Sequence, residues 1–214
     1  MMLAERSARA QDLYERVRGC TRCALSRTRH CAVPGEGPLD AEIMLIGEAP
    51  GANEDREGRP FVGQAGKFLD ELLSAAGLQR DEVYICNVLK CRPPSNRDPL
   101  PDEIAACQPY LDEQIALIDP LVIITLGRFS MARYFPKLTI SRIHGKYRQI
   151  DGRFYVPMYH PAAALHQQNL REVILDDFRA VPGILEKARE LRNPPPPAIT
   201  EAATTDVSQF RLFD

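Results

Sequence analysis

Four of the six cysteines fall into two pairs, Cys20-x2-Cys23 and Cys91-x15-Cys107, each placed where the chain reads as loop or loop edge. Four thiolates grouped in this way suit either tetrahedral zinc or an iron–sulfur cluster, and spacing alone does not choose between them. Two unrelated pairs of buried thiols would look the same; Cys86 in an apolar run and Cys107 on an inward helix face suit that reading best. A redox dithiol at Cys20/Cys23 fits less well, because such pairs open a helix after a strand, whereas this one follows a helix.

A second group begins on the loop Gly47-Glu48-Ala49-Pro50-Gly51-Ala52-Asn53-Glu54-Asp55. It has neither dinucleotide nor P-loop spacing, and the carboxylates of Glu48 and Glu54 would repel a phosphate. Chemistry at a neutral ring is the better reading. Phe61 stands among glycines in Gly58-Arg59-Pro60-Phe61-Val62-Gly63-Gln64-Ala65-Gly66, a setting that reads as an exposed aromatic, with core burial as the alternative. Asn87 and His160 each follow an apolar run. A lone histidine, or an asparagine at a strand end, is usually structural. Glu48, Phe61, Asn87 and His160 at equivalent strand ends are a stronger signal, because they would converge on one crevice.

The elements that must position these groups are legible from periodicity. Ala10, Leu13, Tyr14 and Val17 mark a helix over 3–18, stopped by Gly19. The run Glu42–Ile46 predicts a buried strand, Phe68 to Ala76 a helix closed by Gly77, and Val83–Asn87 a second strand, which together make a parallel crossover. Pro101 opens a helix that turns Ile104, Cys107, Leu111, Ile115 and Ile118 inward, and Leu121–Leu126 forms a third strand. A short helix follows Gly127. Asp151-Gly152 is a hairpin turn between 147–150 and 154–158. One helix then runs from Asn169 and Glu172, its capping residues, to about Leu191. The expected fold class is α/β: a three-layer α/β/α sandwich with a roughly four-stranded, mostly parallel central sheet and its ligand crevice at the carboxyl ends of the strands.

The chain of 214 residues is long enough for one domain with a real core, and no apolar run approaches a membrane span. The segment Met1-Met2-Leu3-Ala4-Glu5-Arg6 lacks a signal pattern, so a cytoplasmic location with reduced thiols is expected. Residues 1–192 form the expected domain. The Pro/Ala/Thr-rich stretch 193–208 reads as a flexible linker, ending in Gln209-Phe210-Arg211-Leu212-Phe213-Asp214.

The motifs Gly47-Glu48-Ala49-Pro50-Gly51, Gly58-Arg59-Pro60-Phe61-Val62-Gly63, Asn87, Lys90-Cys91-Arg92-Pro93-Pro94 and His160-Pro161-Ala162, in this order and spacing, resemble the family-4 uracil-DNA glycosylases, the iron–sulfur branch of that superfamily. The match runs from about Cys20 to Leu185. The resemblance implies a [4Fe-4S] cluster on Cys20, Cys23, Cys91 and Cys107, mainly structural, within a uracil-DNA glycosylase-like catalytic domain. It implies excision of uracil from single- and double-stranded DNA at the start of base excision repair, by a monomer in the cytoplasm and associated with the nucleoid. The uracil pocket it implies consists of backbone around Gly47–Ala49, Phe61 stacked on the base, Asn87 on its edge and His160 near O2. An amide can donate to O4 and accept from N3–H of uracil, whereas cytosine presents the reverse polarity and leaves two buried groups unpaired.

The first motif departs from the better-known family-1 enzymes, which carry a water-activating Asp and a thymine-excluding Tyr where this chain has Ala49 and Gly51. Glu48 is then the candidate for positioning water or stabilising the cationic sugar, and Glu54 for crowding the C5 edge of the base. Flipping the base out costs a few kcal/mol, less when uracil is mispaired. Leu165, in the place of the superfamily's intercalating loop, is the wedge candidate, with an ordinary helix-start leucine as the alternative. The nearest rival is a related branch that captures uracil covalently through a His in a Lys-Arg-Arg-x-His insertion, and the loop 91–97 has no such insertion. A four-cysteine zinc module acting as a DNA scaffold is a second rival. Gln209, Leu212 and Phe213 resemble the pattern by which bacterial repair proteins dock on the replication sliding clamp.

The formal net charge of −2 gives no bulk attraction to DNA. It is an average over a segregated chain: 16–35 carries five arginines and no acid, and 120–150 carries six basic residues and no acid. These are candidate phosphate-contacting strips.

Overall fold

The computed structural model describes residues 3–193. The linker and tail expected at 193–208 and 209–214 lie outside the described residues, apart from Asn193.

Helix α1 (Leu3–Arg18) leads through the cysteine loop to strand β1 (Ile43–Gly47), followed by the short α2 (Ala52–Glu57), α3 (Gln64–Ala75) and β2 (Tyr84–Asn87). Helix α4 (Pro101–Ile118) precedes β3 (Val122–Leu126), the short α5 (Arg128–Ala132) and α6 (Ile140–Ile143), and the hairpin β4 (Arg148–Ile150) and β5 (Arg153–Met158). Helices α7 (Pro161–His166), α8 (Asn169–Arg179) and α9 (Val181–Arg192) complete the domain. The strands order as β2-β1-β3-β5-β4, parallel except for β4. The sheet therefore has five strands rather than roughly four, because the exposed three-residue β4 joins as an antiparallel edge through the Asp151-Gly152 turn.

Alternation along β1 divides the core. Ile43 and Leu45 face a cluster built from α3, α8 and α9, whereas Met44 and Ile46 face one built from α4 and α5. A third cluster joins α1 to α4 around the cysteine loop. The single helix expected over 169–191 is two helices. Pro182, in the first turn of α9, has no N–H to continue the ladder of α8. The chain leaves β1 toward β2 on one side and returns to β3 on the other, which sets the topological switch point beside β1, where the strands' carboxyl ends open.

One contact fixes the geometry of that opening. A Cβ on Gly66, in the first turn of α3, would lie 1.8 Å from the carbonyl oxygen of Phe61. Phe61 itself holds φ 51°, a left-handed conformation seldom adopted by an aromatic residue. Gly66→Ala is expected to lose about 3 kcal/mol, roughly 6–12 °C in Tm. Gly183→Ala, in open space within α9, should lose nothing. Thermal denaturation of the two variants checks the difference.

Candidate functional site

The ends of β1, β2 and β5 open into one cleft of about 740 Å³. Glu48 and Ala49 reach it from the turn after β1, Asn87 from the last position of β2, His160 from the start of α7, and Glu54 and Phe61 from α2 and the loop after it. Gly47 sits behind them: a Cβ there would fall 2.3 Å from Asn87 Oδ1 and 2.7 Å from Phe61 Cζ. Only hydrogen at that position lets the amide and the ring share the cleft wall. Leu165 does not line the cleft but is exposed on α7.

Phe61 is buried rather than exposed. Its ring lies against Gly47 and stacks with the His160 imidazole at 5.5 Å between centroids, 26° from parallel. Glu54 holds it there. Oε1 of Glu54 accepts from the amides of Val62 (2.9 Å) and Gly63 (2.8 Å), and Oε2 accepts from Gly51 N (3.1 Å). Both oxygens are thus engaged by backbone, which gives Glu54 a positioning role in place of the base-crowding one expected of it. Arg80 braces the same loop from outside, donating to the Pro60 carbonyl (2.6 Å) and to Glu36 (2.8 Å), which Arg59 also grips.

Asn87 is 2% exposed, and its Oδ1 is buried with no hydrogen-bond partner among the described residues. An unsatisfied buried acceptor costs about 1–3 kcal/mol, a cost that a donor on a ligand would remove. His160 caps α7: its Nδ1 accepts from Ala162 N at 3.1 Å. In the neutral ring this leaves the proton on Nε2. Desolvation beside Phe61 lowers the His160 pKa to about 4, with the Glu54 charge pulling weakly the other way. Burial raises the Glu48 carboxyl above the usual range, and the Asp98 charge adds to this while Arg128 opposes it. The cleft thus combines an open amide acceptor, a neutral imidazole N–H donor and a carboxylate of raised basicity.

Sequence reasoning missed Asn53, Gln64, Asn96, Arg97 and Asp98 as cleft residues. The run Pro93-Pro94-Ser95-Asn96 carries only a turn signal, realised as left-handed Ser95 and Asn96, and nothing in it announces that the turn bends over the cleft.

The four paired cysteines come together in the third core cluster: Cys20 and Cys23 after α1, Cys91 after β2, Cys107 within α4. Burial raises the thiol pKa of Cys91, opposed by Arg29, whose Nη1 lies 3.1 Å from its sulfur, and raises Cys107 to about 11. Among the described residues, no three His, Cys, Asp or Glu side chains are gathered as a single metal ion would need. Cys31 and Cys86 stand apart from the group. Part of each basic strip is neutralised by the fold: Arg16 pairs with Asp12 and Glu113, Arg128 with Asp98, and Arg133 with Asp112. Arg22, Arg27, Lys137, Arg142 and Arg148 remain exposed.

The sequence pattern of the uracil DNA glycosylase superfamily matches residues 34–179. The chain is 50% identical over 182 residues to a type-4 uracil-DNA glycosylase of Sulfurisphaera tokodaii, covering 80% of this chain and 82% of the relative. It is 51% identical over 179 residues to one of Saccharolobus solfataricus (79% and 83% covered) and 45% identical over 179 residues to one of Archaeoglobus fulgidus (79% and 90% covered).

The His160 imidazole is expected to stay neutral with its proton on Nε2 from pH 8 down to about pH 5. Its folded pKa is depressed, so its contribution to stability is present above about pH 6.5 and fades as the pH falls toward 4. Ring nitrogen shifts recorded by NMR across this range test the assignment; a midpoint near 6.5 would contradict it.

Proposed function

The chain belongs to the uracil-DNA glycosylase superfamily, in its type-4 branch, and we propose that it flips uracil out of DNA and hydrolyses the N-glycosidic bond to leave an abasic site. The observation that carries this reading is the unpartnered Oδ1 of Asn87, buried beside an imidazole whose tautomer is fixed. In our reading Oδ1 accepts from N3–H of uracil and the amide nitrogen donates to O4. Cytosine reverses both polarities and leaves each group unpaired, at about 1–3 kcal/mol apiece. Phe61 stacks on the base.

As the bond between C1′ and N1 breaks, its electron pair stays with the base, and the negative charge spreads to O2. His160 Nε2–H donates there. A neutral donor held in place stabilises developing charge without reorganisation, and the low His160 pKa keeps the donor neutral at working pH. Water adds to the cationic C1′ and gives its proton to Glu48, whose raised pKa makes it the better base. Leu165, a large exposed apolar side chain, fills the space left by the flipped base. The exposed arginines and lysines of the two basic strips meet the phosphates.

The four cysteines suit a [4Fe-4S] cluster as a donor set: all are free thiols, they share one core cluster, and ligation would release the thiol protons that burial now favours. Such a cluster supplies cross-links among the loop after α1, the exit of β2 and α4, and no step of the reaction runs through it. The tail is read as a sliding-clamp ligand through Gln209, Leu212 and Phe213, carried on the linker by an otherwise monomeric domain that works on the nucleoid in the cytoplasm.

Purified protein incubated with uracil-containing single- and double-stranded oligonucleotides should give alkali-labile abasic sites, fastest for uracil opposite guanine in the duplex. Asn87→Ala should lose roughly 100-fold or more in single-turnover rate, and Glu48→Gln should lose most of its rate while still binding uracil-containing DNA. Intact strands would overturn the reading, and an SDS-resistant protein–DNA adduct would favour the covalent rival. Deleting 209–214 should abolish binding to the sliding clamp and leave the rate on short oligonucleotides unchanged.

A further inference from the structure

Lys90 is among the most completely enclosed side chains of the protein, 1% exposed, and the reaction as described makes no use of it. Its Nζ donates to the main-chain carbonyl of Asn87 at 2.7 Å and to Gln114 Oε1 on α4 at 2.5 Å. Gln114 is anchored in turn, its Nε2 donating to the Pro34 carbonyl (2.6 Å) and the Tyr84 hydroxyl (2.9 Å), and Tyr84 meets Tyr14 of α1 at 2.9 Å. A continuous chain of hydrogen bonds therefore runs from the strand end that bears Asn87 through the helix layer to α1.

Both oxygen acceptors on the ammonium are neutral, and so is the buried Cys86 thiol beside it, whose pKa burial raises. Burying a charge costs free energy that neutral acceptors only partly return, so this lysine is a weak stabilising element. Retaining lysine here asks for a reason other than stability. The cleft side of Asn87 supplies one: Oδ1 has no partner, so no side-chain bond through that oxygen fixes the carboxamide. The Asn87 main chain must do so, and it lies at the point where β2 ends and the chain turns away. There Val88 N and Leu89 N donate to the carbonyls of Gly47 and Glu48 (3.0 Å each), which keeps the turn against β1, and Lys90 secures the Asn87 carbonyl from the other side.

We infer that Lys90 is a positioning residue for uracil recognition, a buried strut between Gln114 and the Asn87 carbonyl that sets where the Asn87 amide meets the base. The inference rests on the reading of Asn87 as the uracil-selecting amide. Lys90 also borders Cys91 in sequence, so one short segment, 87–91, carries both the recognition amide and a proposed cluster ligand.

The test is Lys90→Met in the full chain, measured for thermal stability, single-turnover excision rate, affinity for abasic-site DNA and visible absorbance. The expected result is a Tm lower by several degrees, since the Asn87 carbonyl and Gln114 Oε1 lose a donor, unchanged absorbance and DNA affinity, and a rate, measured well below both Tm values, lower by roughly 10- to 100-fold, the scale of a misplacement by about 1 Å. DNA affinity should hold because an enclosed side chain cannot touch DNA. A rate within about two-fold of wild type, or a loss of rate that appears only near the lowered Tm or together with a loss of absorbance, overturns the inference. If Lys90→Met does not fold, Gln114→Leu removes the far anchor alone and is judged by the same four readouts. Should wild type itself leave uracil in place, the reading of the pocket fails rather than that of the strut.

Discussion

Two loops with no regular structure must be held against each other to make this cleft, and the carboxylate of Glu54 does it. Its two oxygens accept from three amides, one in the loop after β1 and two just beyond Phe61. Charge-assisted bonds of this kind are stronger than neutral ones, and they work here at short range in a half-buried setting. They act with the close approach of Gly66, which leaves the Phe61 backbone no alternative path, and with Arg80, which grips the Pro60 carbonyl from the outer side. Phe61 is held in a left-handed conformation because three neighbours over-determine it. Base stacking then needs no rearrangement of the ring.

The electrostatics follow from that geometry. With Phe61 seated against Gly47, the His160 ring is enclosed on one side and bonded through Nδ1 to the turn it caps. Enclosure disfavours the imidazolium, and the Ala162 amide selects the tautomer. One packing arrangement therefore yields both the neutral state and the direction of the donor. Glu48, half-buried in the turn after β1, has its pKa raised by burial and by the Asp98 charge.

Much of this was legible in the chain before folding. The buried strands 43–47, 84–87 and 122–126 carry near-continuous β-branched and aliphatic runs, and such runs bounded by glycine or asparagine leave little choice. That made the carboxyl ends, and hence Glu48, Asn87 and His160, predictable as neighbours. The edge strand β4 escaped a firm count because it is three residues long with only Ile150 turned partly inward, and so short an edge pairing leaves little periodic trace. The break at Ala180 was hidden because apolar spacing continues across it while Pro182 acts only on the backbone. Phe61 was misjudged as exposed because glycine neighbours signal an open loop, and the close contact with Gly66 that buries it depends on tertiary structure. The backbone engagement of Glu54 is hidden for the same reason: a carboxylate in a functional motif reads as chemistry, and nothing local reveals that three amides converge on it.

The distribution of unmet and over-met polar groups separates what the domain does from what holds it together. Glu54 and Gln114 are engaged on every side and define shape. Asn87 Oδ1, on the contrary, is left open in a place that water reaches poorly, and a fold selected for stability alone would have closed it. A donor presented at that point from outside the chain would complete it. In the proposed reading uracil supplies that donor through N3–H, where cytosine has a lone pair, so the unpaired acceptor that weakens the free protein would also select the base.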